Sequence, residues 1–379
     1  MIYLTTKATP RTRQLTLEMV LAGEVDVSQF VEGGQDGNTV TRILPCVPER
    51  LRQKVSVAAL VYELEQFCTR HEALFGVNRR KLYTSFHIPK KSGGLRRIDA
   101  PNEELKAALY ELKTIFETKF FALHHTSAFA YVSGRSTVDV LKRHQTNGSH
   151  WFLKLDFSNF FGSTTENFLF DQLTKIYPFS EVTKYPNGAI VLRKALSLCM
   201  LDGGLPQGTP ISPMLTNLMM IPLDHQIANG LHQLHMVYTR YADDILISCK
   251  HDFNYKQIAG RVNATLRLFH APFSINEKKT HYGSSSGNNW CLGLMLNGQN
   301  EITIGWRNVD RFKAMCNSYI LDHQKGIRWE LHDVQAFSGL ISYYKMIERE
   351  YICHIIRKYD QKYNTNMMEL IRKDLAGES

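Results

Sequence analysis

The sequence predicts an α+β centre followed by an all-α appendage. Three observations carry this. Strand-like alternation and helical periodicity interleave between residues 82 and 248, helical patterning alone continues after Thr303-Ile304-Gly305, and no internal repeat or low-complexity tract interrupts either part. The 379 residues with 44% hydrophobic content can fill more than one core, and 21% charged residues with aromatics throughout exclude a disordered or fibrous chain.

The elements follow in chain order. The first 40 residues are polar and end in Gly33-Gly34-Gln35-Asp36-Gly37-Asn38, with Pro45 and Pro48 beyond, which reads as an extension joined by a linker. Between 55 and 72, Val55, Ala58, Leu60, Val61, Leu64 and Phe67 recur at helical spacing. The run 82–88 alternates as a strand and stops at Pro89, Lys91-Ser92-Gly93-Gly94 turns, and 95–98 returns as a second strand. Asn102 opens a helix to about 120, with Glu103 and Glu104 at its positive end. Residues 151–155 form an apolar strand, helices are expected over 166–177 and 213–231, and two short strands flank Ala242-Asp243-Asp244.

Charge and cysteine usage narrow the class. Forty-five Lys plus Arg against 36 Asp plus Glu give +9, a balance that suits a polyanionic partner. Arg79, Arg80, Lys81, Lys90, Lys91, Arg96 and Arg97 fall within one hairpin stretch without an acidic residue, which reads either as a solvated face or as an anion-binding one. The seven cysteines (Cys46, Cys68, Cys199, Cys249, Cys291, Cys316, Cys353) are scattered without zinc-ligand spacing and read as small buried hydrophobes in a reducing compartment. No membrane-length apolar run and no signal-peptide pattern is present, so a cytoplasmic location without a membrane partner is expected.

Three constellations carry chemistry. Tyr241-Ala242-Asp243-Asp244 places two adjacent carboxylates at a tight turn between apolar strands, where they either cap backbone N–H groups or bind a cation that relieves their repulsion. The strand 151–155 delivers a third carboxylate, Asp156, followed by Phe157-Ser158-Asn159-Phe160-Phe161. Three carboxylates from two adjacent strand ends suit a pair of Mg²⁺ ions, which in two-metal phosphoryl-transfer sites sit roughly 3.5–4 Å apart. Between them, Gly204-Leu205-Pro206-Gln207-Gly208 leads to Ser212-Pro213 at a helix start, where glycines allow close backbone approach and Gln207 offers both donor and acceptor.

The order of Leu155-Asp156, Leu205-Pro206-Gln207-Gly208-x-x-x-Ser212-Pro213, Tyr241-Ala242-Asp243-Asp244, Asn276-Glu277-Lys278-Lys279-Thr280 and Leu292-Gly293-Leu294 resembles the successive motifs of reverse transcriptases, in particular the bacterial group of retron, diversity-generating, group II intron and phage-defence enzymes. The resemblance covers about 83–341. It implies a right-hand polymerase: a 1–54 extension, fingers over 55–150, a palm of antiparallel sheet plus helices over 151–305 with a finger-like insertion at about 165–203, and an all-α thumb over 306–379.

The resemblance also implies roles. Asp156, Asp243 and Asp244 would hold two Mg²⁺ ions, with Mn²⁺ as a substitute, and Lys279 would sit near the pyrophosphate as a proton donor. Phe161 matches the sugar gate that favours deoxynucleotides, although Phe160 or Phe161 also fits a plain core residue. Gln207, with Gly208 and Phe157, would line the incoming nucleotide. Arg97, with Arg96 or Lys91, would grip the triphosphate. Arg135 in Gly134-Arg135-Ser136, Tyr241, and Leu292-Gly293 of a primer-grip hairpin would contact nucleic acid. The implied activity is RNA-directed DNA synthesis from dNTPs, giving a DNA product or RNA–DNA hybrid on a dedicated structured non-coding RNA. An effector, a second protein subunit or an oligomer would be compatible.

Departures from subgroup patterns refine the expectation. Retron enzymes usually carry Val-Thr-Gly where this chain has Cys291-Leu292-Gly293, and Asn-Ala-x-x-His where it has Val138-Asp139-Val140-Leu141-Lys142-Arg143-His144. Diversity-generating enzymes replace the Ser-Pro that stands here as Ser212-Pro213, and a group II intron protein would continue into a maturase region past the thumb. Elimination points to a phage-defence enzyme, with a retron enzyme making branched RNA–DNA as one alternative and a non-catalytic RNA-binding protein on the same scaffold as another.

Overall fold

The computed structural model describes residues 56–90, 93–119, 124–285, 290–291 and 293–377. The expected 1–54 extension, Lys91 and Leu292 lie outside these. Backbone contacts divide the chain into two units. The first comprises the described residues to Arg135 with Leu153–Ile247 and Phe253–Tyr282, and the second Ser136–Phe152, Ser248–Asp252 and the residues from Gly283 onward.

In the first unit, Ser56 caps α1 (Val57–Arg70) through Ala59 N–H, and Leu60, Val61, Leu64 and Phe67 bury one stripe of it. The strands β1 (Tyr83–Pro89) and β2 (Leu95–Pro101) form an antiparallel hairpin with Ser85 opposite Asp99, Phe86 opposite Ile98 and Ile88 opposite Arg96. Gly93 and Gly94 adopt φ of +84° and +80° at its tip, a conformation that glycine takes without penalty. Helix α2 (Glu103–Lys119) follows at once, its start capped by the Asn102 side chain on Leu105 N–H.

The strand β3 (Trp151–Asp156) is nearly all buried. After it, α4 (Glu166–Thr174) packs on α6 (Ser212–His232) and α5 (Gly188–Ser197) on α1, and α6 is buried on most faces, so it is a core helix rather than a surface one. Helix α3 (Thr137–Thr146) precedes β3 and lies in the second unit. The strands β4 (Val237–Tyr241) and β5 (Asp244–Cys249) join through a two-residue turn, and helix α7 (Tyr255–Leu268) leads to β6 (His281–Ser284). The sheet order is β4-β5-β3-β6.

A buried pair fixes the β4–β5 turn. The Arg240 guanidinium donates from Nε and Nη2 to the Asp224 carboxylate at 2.7–3.1 Å, both side chains being wholly inaccessible, and Tyr238 Oη donates to Asp224 Oδ1 at 2.6 Å. Arg240 Nη1 donates to the Ala242 carbonyl at 3.0 Å, under a residue held at φ +59°. The Arg240 backbone pairs in turn with Ser127 and Phe129.

In the second unit, a short hairpin of β7 (Met295–Leu296) and β8 (Ile302–Thr303) precedes α8 (Trp306–Gln324), α9 (Leu331–Tyr363) and α10 (Met367–Ala376). Helix α3 belongs with this unit, because Gln145 and Asn300 exchange side-chain-to-carbonyl hydrogen bonds of 2.6 and 3.1 Å and Thr137 bonds Tyr343 at 3.2 Å. Tyr319 and Tyr344 are buried in the helical bundle and belong to its core.

Removing the Asp224 charge strands a buried guanidinium. Asp224→Ala is therefore expected to cost about 3–5 kcal/mol of unfolding free energy, and urea denaturation that shows less than about 1 kcal/mol would contradict this account.

Candidate polymerase site

The site is assembled at strand ends in the first unit. Asp156 closes β3 and is 4% exposed; its carbonyl accepts Asn276 N–H at 2.7 Å, while Phe157 N–H donates to the Asp243 carbonyl at 3.1 Å. These main-chain bonds bring Asp156 beside the β4–β5 turn, where Asp243 is the turn residue and Asp244 begins β5.

Lysines accompany two of the three carboxylates. Lys279, on a single helical turn at Glu277–Lys279, donates through Nζ to both oxygens of Asp156 at 2.7 and 3.0 Å. Lys154 Nζ lies 3.3 Å from Asp244 Oδ2. Asp243 has no ion pair among the described residues. Burial raises its pKa, Asp244 and Asp156 add to the rise, and its own backbone and Lys279 offset it. Burial likewise raises Asp244, against the pull of Lys154. Lys279 is raised chiefly by its hydrogen bonds to Asp156.

The expected cage is thus not preformed: among the described residues no three metal-ligating side chains are grouped closely enough to hold an ion. Two ammonium groups instead supply the positive charge, Lys279 beside Asp156 and Lys154 beside Asp244. The donor chemistry itself fits, since hard carboxylates are what a divalent cation such as Mg²⁺ takes. The Lys279 side chain is 59% exposed.

The platform loop is fastened to the β1–β2 hairpin. Asp99 N–H donates to the Gln207 carbonyl at 2.8 Å, and a Cβ on Gly208, at φ +125°, would lie 2.8 Å from the Asp99 carbonyl oxygen and 2.9 Å from an Ile98 methyl. A Cβ on Gly204 would collide with the Gly162 backbone, beside the bond from Leu205 N–H to the Phe161 carbonyl. The Gln207 side chain is half-buried, and the Phe161 ring is 9% exposed.

Strand alternation separates the two arginines. Arg96 shares a face of β2 with Ile98, which lies against Gly208, and it is exposed; Tyr131, held at φ +60°, is within electrostatic reach of both Arg96 and Asp243. Arg97 points the other way. Its Nη2 donates to Asp99 Oδ1 at 2.7 Å and Ser85 Oγ at 3.1 Å, and Asp202 lies 3.8 Å away, also paired with Arg80. Arg97 is thus ion-paired on the face away from Ile98, while Arg96 is exposed on the face that meets Gly208.

Phe157 is buried at 2% exposure, packed on Phe160 and Phe273, so its ring is a core element rather than a nucleotide contact. Arg135 Nη1 donates to the Thr126 and Ala128 carbonyls at 2.6 and 2.7 Å, and the guanidinium lies over the Phe129 ring, so it supports the 126–129 segment. Tyr241 ends β4, half-buried. Gly293, at φ +102° in the Cys291–Leu294 turn, lies in the second unit. The sequence reading overlooked Lys154 and Tyr131. Lys154 had a signal, since it stands two residues before Asp156 and so shares its strand face.

Comparisons with known proteins follow from this geometry. The family described as "Reverse transcriptase (RNA-dependent DNA polymerase)" matches residues 88–313, more than half of the chain. Retron Ec83 reverse transcriptase of Escherichia coli is 28% identical over 78% of this chain and 91% of its own length. Retron Ec73 reverse transcriptase of the same species is 29% identical over 73% and 86%, and retron Mx65 reverse transcriptase of Myxococcus xanthus 27% identical over 93% and 78%. No helix among the described residues is long and apolar enough to cross a membrane.

The raised carboxylates make a prediction. The folded state binds protons that the unfolded state releases, so the metal-free protein loses stability as pH rises through the raised range and recovers it below. Asp243→Asn removes that cost: its melting temperature at neutral pH should exceed that of the parent, with a flatter dependence in weak acid. Calorimetry showing a lower melting temperature for the variant would contradict the electrostatic account.

Proposed function

The chain belongs to the reverse transcriptase (RNA-dependent DNA polymerase) family, and from that premise we propose that it copies a dedicated structured RNA into DNA by a retron-type reaction, using two Mg²⁺ ions. RNA-directed DNA polymerase activity and the right-hand polymerase fold come with the family; the metal identity and number, the RNA and the residue roles are this proposal. The observation that carries it is the placement of Asp156 beside the turn that holds Asp243, fastened by the hydrogen bond from Phe157 N–H, the residue after Asp156, to the Asp243 carbonyl, with Lys279 bonded to Asp156.

The residues divide the work. Asp156 and Asp243 would hold the ions, which when bound activate the primer 3′-hydroxyl and neutralise the triphosphate. Lys279, released from Asp156, is placed to give a proton to the departing pyrophosphate. Arg96 extends from the hairpin face that meets the platform and would hold the triphosphate, while Gln207 and Gly208 present backbone and amide to the nucleotide. Phe161, tied through its carbonyl to Leu205, sets the wall that a ribose 2′-hydroxyl would strike.

The relatives' names favour the retron reading over other phage-defence enzymes. A place in anti-phage defence rests on the resemblance of the motifs. The alternative of a non-catalytic RNA-binding protein finds less support, since all three carboxylates, Gln207 and Lys279 are retained. Sequencing the RNA that co-purifies with the protein tests the template: one abundant structured species is expected, and a random cellular mixture would overturn the dedicated-RNA reading.

Two substitutions test the chemistry. Asp243→Asn should lower Mg²⁺-dependent dNTP incorporation on an RNA template by about a thousandfold or more while RNA binding, read by gel shift, persists. Phe161→Ala should relax the preference for deoxynucleotides by about tenfold or more, measured as the ratio of kcat/KM for a dNTP and its rNTP. An unchanged ratio would return Phe161 to the core.

A further inference from the structure

We propose that Lys154 is a positioning residue that keeps Asp244 turned away from the catalytic ions, so that Asp156 and Asp243 act as the ligand pair; this rests on the metal reading above. The argument begins with strand geometry. Lys154 and Asp156 occupy one face of β3, and Leu153 and Leu155 are fully buried on the other. β3 lies between β5 and β6, and a lysine in an interior strand loses much of its hydration. It is retained where a nearby negative charge offsets that loss. Among the described residues, the one ion pair of Lys154 is with Asp244, the first residue of the neighbouring strand β5.

The two lysines of the site differ in how they are held. Lys279 stands on a three-residue turn with 59% of its side chain exposed, so it can leave Asp156 at small cost. Lys154 stands mid-strand with 23% of its side chain exposed and reaches a carboxylate on the adjacent strand, and sheet pairing holds both main chains in place. Lys154 is therefore the permanent counter-ion and Lys279 the exchangeable one. With Asp244 so engaged, the next carboxylate along the turn, Asp243, is the one without an ion pair and the one offered to a cation. Loss of the Lys154 charge would free Asp244 as an additional ligand and make the site more negative, so a divalent ion would bind more tightly but in a different ligand set.

The test uses Mn²⁺ as the probe with the full-length protein freed of nucleic acid by nuclease and high salt, and bound Mn²⁺ is counted by electron paramagnetic resonance. Wild-type protein should show Mn²⁺ binding that Asp243→Asn removes. Lys154→Met, which keeps the aliphatic stem, should bind Mn²⁺ about tenfold more tightly. Lys154→Arg should stay near wild type, and adding Asp244→Asn to Lys154→Met should erase the gain. Melting curves establish that each variant is folded, and Lys154→Gln replaces the Met variant should that one unfold. Unchanged or weaker Mn²⁺ affinity in a folded Lys154 variant, or a gain that survives Asp244→Asn, overturns the role of Lys154. Absence of any Asp243-dependent Mn²⁺ binding in the wild type overturns the metal reading instead.

Discussion

The site depends on a buried cation that never meets substrate. Arg240 binds Asp224 from a position with no access to water and lends its remaining N–H to the carbonyl of Ala242. Such pairs are poor sources of net stability, because desolvation consumes most of the attraction. Their effect here is geometric. An alanine in the left-handed region is unfavourable by itself, and the turn that contains it must present Asp243 at one height above the sheet. A guanidinium planted beneath the carbonyl, with its backbone paired to Ser127 and Phe129, leaves the turn little alternative.

The platform is fixed by a different means, close backbone approach. Gly204 and Gly208 sit where any side chain would press into main chain, against Gly162 in one case and Asp99 in the other. The hydrogen bond from Asp99 N–H to the Gln207 carbonyl then joins the loop to the root of the hairpin. A two-stranded hairpin with one strand almost wholly exposed has little stability of its own. Its orientation over the platform is inherited from that bond and from the cluster of Arg80, Arg97, Asp99 and Asp202 on its far face. The same cluster engages Arg97, while its neighbour Arg96 stands exposed on the opposite face of the strand.

Much of this was legible in the sequence where one period dominates. The hairpin, α2, β3, the β4–β5 turn and α6 fall within a few residues of where alternation, capping and turn chemistry put them. Helices α3, α5 and α7 were overlooked, although α3 carries a capping box of Ser136 with Asp139 and α7 buries Ile258, Val262 and Leu266 at four-residue spacing. In the site, motif order located the carboxylates but not their partners. Motif order does not single out Lys154, and it ranks Arg97 before Arg96, because a motif names residues without assigning them to faces. Phe157 shows the converse: an aromatic beside a catalytic-type carboxylate is turned inward by its packing on Phe160 and Phe273.

The absence of a preformed cage among the described residues follows from the same electrostatics that make the motif recognisable. Three carboxylates at adjoining strand ends repel, and burial deepens the penalty, as the raised Asp243 and Asp244 indicate. A chain that must fold before it meets a metal needs another cation there in the meantime. An ammonium group serves, provided that it can be displaced, and displacement is governed by how its backbone is held and how readily water rehydrates it. On both measures Lys279 is the group that leaves: it is solvated, on a short turn, and once released it remains beside the position where a leaving pyrophosphate would need a proton. In the reaction proposed above, the residue that neutralises Asp156 before a metal arrives would also be the one that protonates the leaving group.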